Sequence, residues 1–195
     1  MENNIKIQMN PTVLLSLLMD KMQDVEVDNH YAQSYRYFID YFKNIDVIEE
    51  SHFYISTNFV YGWMPTILNY KSDQISECIS LLNRVKSGES LSEIQLTTLK
   101  STINNSIVGV SKLLHFIDPN VYAMWDSRIC NFLYGTTCKV DSIDKFMEYT
   151  VFMRDVISSS DFDAFYLTYQ QKFNDSSSKK MRALENMMFH VAKGK

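Results

Sequence analysis

Ser106-Ile107-Val108-Gly109-Val110-Ser111-Lys112-Leu113-Leu114-His115-Phe116-Ile117-Asp118-Pro119-Asn120-Val121-Tyr122-Ala123-Met124-Trp125-Asp126-Ser127-Arg128-Ile129 is the stretch on which the fold turns. It opens on a turn with one glycine, runs as a short helix to Ile117, and stops at Asp118-Pro119, because a proline disfavours helical geometry in the residue before it. An apolar return follows and ends on Trp125, where a lone carboxylate, Asp126, stands between the indole and Arg128. Elsewhere the apolar residues recur at helical spacing and read as packing.

Upstream, Ser90-x-x-Glu93 reads as a capping box for a helix carrying Leu91, Ile94, Leu96, Leu99 and Ile103. Before it, Asp73 reads as the cap of a helix that runs through Lys86 and ends at Ser87-Gly88. Tyr61-Gly62-Trp63-Met64-Pro65-Thr66 reads as a loop, with glycine and proline bracketing an indole that either plugs the core or lines a pocket. Three earlier helices are expected, from Asn10-Pro11, from Asp28-Asn29-His30, and less regularly from about Val47 to Tyr61. Downstream, helices are expected to Leu133 before Gly135, from Asp141-Ser142 to about Ile157, over Asp161 to Phe173, and over Lys179 to Ala192.

With 5 Gly and 3 Pro in 195 residues, the chain lacks the frequent breakers that a sandwich or barrel requires. A composition 46% hydrophobic and 22% charged supports a sizeable core, and 12 Tyr, 12 Phe and 11 Met suit helix-on-helix packing. The expected fold is therefore all-α, a compact multi-helix domain over residues 1–195, or two closely packed lobes, with the functional stretch at about 100–135.

Cys78, Cys130 and Cys138 are odd in number and far apart, which suggests neither a disulfide framework nor a zinc site. A reducing, cytoplasmic setting is expected. Met1-Glu2-Asn3-Asn4 has no basic leader character, and the apolar run from Val13 to Met19 ends at Asp20-Lys21, too short to span a membrane. The net charge of -4 does not advertise a nucleic-acid partner. Its distribution is uneven: residues 1–83 carry 5 basic against 11 acidic side chains, whereas residues 84–139 carry 6 against 4.

Within the focal stretch, Gly109 opens the helix at a point where exposed amides can receive a phosphate oxygen. Lys112 and His115 lie one helical turn apart on one side. His115 is either a satisfied residue at the edge of the core or a contact to substrate. His30, His52, His115 and His190 are scattered without ligand spacing, so no metal is expected. Asp126 fits two roles. It can cap the helix beginning at Ser127, or it can stabilise a cationic sugar transition state beside an aromatic wall and Arg128.

Gly109-Val110-Ser111-Lys112, a helix, then Trp125-Asp126-Ser127-Arg128-Ile129 resembles the helix-hairpin-helix DNA glycosylases, in particular those with an 8-oxoguanine DNA glycosylase-like fold. In that family a hairpin of Leu-Pro-Gly-Val-Gly type precedes a lysine and a helix, and a later aspartate is essential. The resemblance places Asp126 on that aspartate, Arg128 on the basic position after it, and Gly109 with Val110 on the hairpin. Val108 stands in place of the hairpin proline and Ser111 in place of its second glycine.

What the resemblance implies is excision of a damaged or modified base flipped out of double-stranded DNA, without a cofactor, in repair or in defence against phage. Asp126 and Lys112 become the catalytic candidates; Gly109, Ser111 and Arg128 the DNA contacts; Trp63, His115 and Trp125 the base pocket. The lysine of lyase members is not matched, since Lys100 lies too far upstream and Lys112 matches the lysine just after the hairpin. A monofunctional enzyme is therefore expected. The alternative is an inactive module on the same scaffold that binds nucleic acid or protein.

Overall fold

The computed structural model describes residues 7, 9–26, 29–137, 139–176 and 178–193. Over these it is all-helical: α1 (Pro11–Met22), α2 (Asn29–Lys43), α3 (Glu50–Trp63), α4 (Ile75–Lys86), α5 (Glu93–Thr102), α6 (Ile107–Ile117), α7 (Ser127–Tyr134), α8 (Ile143–Ile157), α9 (Phe162–Phe173) and α10 (Lys180–Lys193). A single 3-10 turn, Ser72–Gln74, leads into α4. Met1 to Asn4, Asp28 and Cys138 lie outside the described residues, while Cys78 and Cys130 are both buried. Among the described residues no helix is long and apolar enough to cross a membrane.

Helix α6 is the axis of one half. It is buried almost all round, through Ile107, Val110, Leu113, Leu114 and Phe116, as expected of a helix wrapped by others. Helices α2, α3, α4 and α5 pack on it. In the other half α10 holds α1, α7, α8 and α9, and the α5 to α8 contact joins the two halves. One continuous apolar cluster runs from Leu14 in α1 to Met188 in α10.

Several helix starts follow from their caps. Asn10 Oδ1 accepts the Thr12 amide at 2.9 Å ahead of Pro11 at the first turn. Ser106 caps α6 and Ser142 caps α8 in the same way. Two expected caps are corrected. The capping box sits at Ser92 and Gln95, where the Ser92 amide donates to Gln95 Oε1 at 2.8 Å; Ser90 and Glu93 are displaced because Leu91 is buried and its amide donates to Tyr122 Oη. Asp73 lies inside the 3-10 turn and caps nothing, and α4 starts after Gln74 without a side-chain cap.

The Trp63 segment is also corrected. It is not a loop: α3 continues through Gly62 to Trp63, and the break comes at Pro65, whose ring removes an amide and constrains the residue before it. The chain from 64 to 71 then docks on the α5–α6 turn. The Asn104 amide donates to Asn69 O at 2.9 Å, the Asn69 amide to Asn104 Oδ1 at 2.9 Å, and the Lys71 amide to Thr102 O at 3.0 Å.

That turn is made without Gly109. Its left-handed residues are Asn104 (φ 59) and Asn105 (φ 50), placed before the helix, and asparagine is the side chain that best tolerates this region after glycine. Gly109 lies inside α6, and its freedom of φ is unused. Its smallness serves a close approach instead, since a Cβ there would meet Tyr61 Oη at 2.2 Å. Tyr61 is 2% exposed, so it has little room to retreat. Gly109→Ala is therefore expected to destabilise the fold by about 1–3 kcal/mol, as overpacking does, read as a lower urea midpoint with an unchanged slope.

Candidate functional site

The site is assembled on the extended segment from Tyr122 to Asp126, which threads between α6 and α10. Ser111 fixes its backbone. Its Oγ accepts the Trp125 amide at 3.1 Å and donates to the Val108 carbonyl at 2.8 Å within its own helix. The Trp125 indole is wholly buried, donates from Nε1 to the Val140 carbonyl at 2.7 Å, and packs 5.0 Å from the Tyr149 ring. With main chain and indole both anchored, the next residue has a fixed origin.

That residue, Asp126, adopts an extended backbone and caps α7. Its Oδ1 accepts both the Arg128 and Ile129 amides at 2.9 Å. Among the described residues no hydrogen bond engages Oδ2, and the residue is half-buried. One oxygen thus holds the carboxylate in place while the other stays open to chemistry.

Lys112 approaches the same segment from α6, with Nζ 3.4 Å from the Trp125 carbonyl. Burial lowers the Lys112 pKa from its ordinary value; Asp126 and Glu185 oppose that shift and Arg182 adds to it. Arg182 and Glu185 lie one turn apart on α10 and form a buried ion pair. Arg182 also stacks its guanidinium 4.8 Å over the Tyr35 ring and reaches Met124 Sδ at 3.7 Å. Burial raises the Glu185 pKa against the pull of Arg182.

His115 is completely buried. Its Nδ1 lies 2.7 Å from the Tyr122 carbonyl, which only accepts, so Nδ1 carries the proton. Nε2 is then the acceptor for the Tyr35 hydroxyl at 2.8 Å. Burial, with Arg182 adding to it, pushes the imidazole down to about 3, so it is neutral across the physiological range. His115 bolts α2, α6 and the segment before Asp126 together.

The structure therefore brings together Asp126 and Lys112, and it places the other sequence candidates differently. Gly109 is buried, with its amide directed to Ser106 Oγ at 3.4 Å, so it is not an open phosphate donor. Ser111 is also enclosed, its hydroxyl consumed by backbone. His115 and Trp125 present no surface from which to stack on a base. Trp63 is half-buried against Phe38 and Phe116, a cluster separate from the Tyr134 and Tyr149 rings that flank Trp125. Arg128 is exposed, its guanidinium 4.6 Å over the Phe189 ring, a pose that leaves its edge N–H groups for an anion.

Sequence reasoning missed Arg182, Glu185 and Tyr35. A signal for one of them is present: Glu185 lies four residues after Met181 and three before Met188, so its carboxylate falls on the apolar stripe of its own helix. A charge in such a stripe is rarely left buried without a partner. Among the described residues no three His, Cys, Asp or Glu side chains gather as a metal site would require. No protein-family model matches the chain, and no curated protein or solved structure shows significant similarity to it.

Proposed function

We infer that the chain is a DNA base-excision enzyme that hydrolyses the N-glycosidic bond of a flipped, modified nucleotide in double-stranded DNA. The observation that carries this reading is the Asp126 carboxylate, pinned by two amides through Oδ1, with Oδ2 taking no hydrogen bond among the described residues. Rupture of an N-glycosidic bond builds positive charge on the sugar ring, and a fixed carboxylate beside C1′ stabilises that charge and takes a proton from the attacking water. Arg128, exposed in the first turn of α7, is the contact offered to a phosphate.

The test is a panel of duplex oligonucleotides carrying oxidised, alkylated, deaminated and glucosylated bases, with released base measured by mass spectrometry. Release from one class supports the reading and separates repair from phage defence by the identity of that class. No release from any member removes it. Borohydride added to the active reaction is expected to trap no protein–DNA adduct, and a trapped adduct at Lys112 would instead make the enzyme a lyase.

The enclosure of His115, Trp125, Gly109 and Ser111 favours a second reading, a module that binds DNA or a protein on the same scaffold without chemistry. Tight binding of a modified duplex with no base released is the outcome that selects it.

A further inference from the structure

The phenol of Tyr35, on α2, is held the way a protein holds a planar ligand. One face of its ring lies 4.8 Å from the Arg182 guanidinium, and its hydroxyl donates to His115 Nε2 at 2.8 Å. Phe116 closes a third side, its ring 5.8 Å away. Tyr35 is half-buried and His115 completely buried, so the phenol lies between solvent and the imidazole. The apolar anchors of α2 are elsewhere: Phe38 stacks on Phe59 at 4.4 Å, and Phe42 is buried.

Arg182 and Glu185 form a buried ion pair, which adds little stability over well-packed apolar side chains because desolvation offsets the attraction. What the pair supplies is orientation. Glu185 and Met124 Sδ both engage Arg182 at Nη1, on the edge of the guanidinium, which leaves a flat face to the ring above it. His115 supplies an acceptor, because its one proton is committed from Nδ1 to the Tyr122 carbonyl at 2.7 Å.

Both walls stand on the segment that carries Asp126. His115 is bonded to Tyr122 and Arg182 to Met124, and Met124 precedes Asp126 by two residues, about 7 Å of extended chain. We propose that the space Tyr35 fills is the pocket for the flipped base, and that Tyr35 is the plug a base displaces to enter it. The proposal rests on the base-excision reading above. It gives the enclosed imidazole a task, since Nε2 passes from the phenol to the base when the ring swings out.

Such a pocket selects among bases. A ring in the place of Tyr35 stacks on the guanidinium and must present a donor to Nε2, whose lone pair stays free because burial keeps the imidazole neutral. Neutral bases with an N–H edge, the products of oxidation and deamination, satisfy both walls. A base made cationic by ring alkylation meets the guanidinium face with like charge and is disfavoured.

The test without DNA titrates free hypoxanthine, a neutral purine with N–H edges, into the full chain labelled with nitrogen-15 at histidine, the His115 signals being assigned by their loss in His115→Gln. Hypoxanthine is expected to shift the His115 Nε2 signal in wild type. It is expected to bind Tyr35→Phe about tenfold more tightly, because the plug keeps its ring and loses the hydrogen bond that latches it. N-methylquinolinium, a ring of similar size with a fixed positive charge, is expected to shift neither protein. An unmoved His115 signal in both proteins overturns the pocket, equal affinity in the two overturns the plug, and binding of the cation as tight as that of hypoxanthine overturns the selection.

With an active substrate from the panel, Tyr35→Phe is expected to raise kcat/KM for base release by up to about tenfold, and duplexes carrying cationic alkylated bases are expected to release none. An unchanged or lower kcat/KM overturns the plug and leaves base excision standing. A panel with no release removes the base-excision reading and the flipped base as occupant with it, while the hypoxanthine titration still decides whether Tyr35 plugs a site for a planar ring.

Discussion

Asp126→Asn is expected to reduce base release by at least about a hundredfold while leaving the fold and the binding of DNA nearly intact. The size follows from what the carboxylate supplies. Electrostatic stabilisation of a developing charge and general-base assistance are each worth about 10²-fold or more, and the amide provides neither the charge nor the proton acceptor. Asparagine is as good a helix cap as aspartate, so its Oδ1 can keep both amide hydrogen bonds that now hold Asp126. What is lost structurally is the interaction of a full charge with the α7 terminus, about 0.3–1 kcal/mol.

Steady-state base release, a denaturation curve and a binding titration on one preparation separate these effects. Activity near wild type in Asp126→Asn would reduce Asp126 to a helix cap and remove the proposed function. Loss of activity together with collapse of the denaturation midpoint would show that the carboxylate serves the fold. Asp126→Ala provides the contrast, because it loses the cap as well and is expected to cost about 1 kcal/mol more stability than the amide.

How much of this was legible in the sequence depends on the range over which each signal acts. Local signals were read well. Asn10-Pro11, Ser142, Gly135 and the Asp126 cap are decided within one helical turn, and they appear where the spacing puts them. Errors arose where a long-range contact overrode a local motif. Leu91 is pulled into the core, which shifts the capping box by two positions; Gly109, read as a turn residue, is small because Tyr61 arrives from α3.

The candidate site divides in the same way. Asp126 and Lys112 come from one continuous stretch, and their proximity follows from a helix turning back on itself. Arg182 and Glu185 lie on the last helix, far away in sequence, and only the packing of α10 against α7 and α8 brings them in. His115 and Trp125 are base-pocket candidates in the sequence and lie fully buried in the fold. Pattern alone does not tell an aromatic that faces a ligand from one that bolts a backbone, because the difference lies in the hydrogen-bond partner.

His115 leads to the largest expected effect on stability, and it depends on pH. An imidazole ordinarily titrates near 6.5, and here burial has pushed it down to about 3. The unfolded chain takes up a proton below about 6.5 that the folded chain refuses, so the contribution is fully present above 6.5 and is lost as pH falls toward 3. Between pH 7 and pH 4 the loss amounts to about 3 kcal/mol, a large part of a domain's net stability. Two acids act in the same window with opposite signs: Glu148, lowered by its bonds to Lys145 and the Ile7 amide, adds to the acid loss, while Glu185, raised by burial, offsets it. His115→Gln removes the imidazole alone. The variant is expected to start less stable at pH 7, because the Tyr35 hydroxyl and the Tyr122 carbonyl lose a shaped partner, yet to lose about 3 kcal/mol less than wild type on going to pH 4. Urea denaturation of both proteins at pH 7, 5.5 and 4 gives the comparison, and parallel loss in the two would mean that His115 is not the acid-labile bolt between α2 and α6.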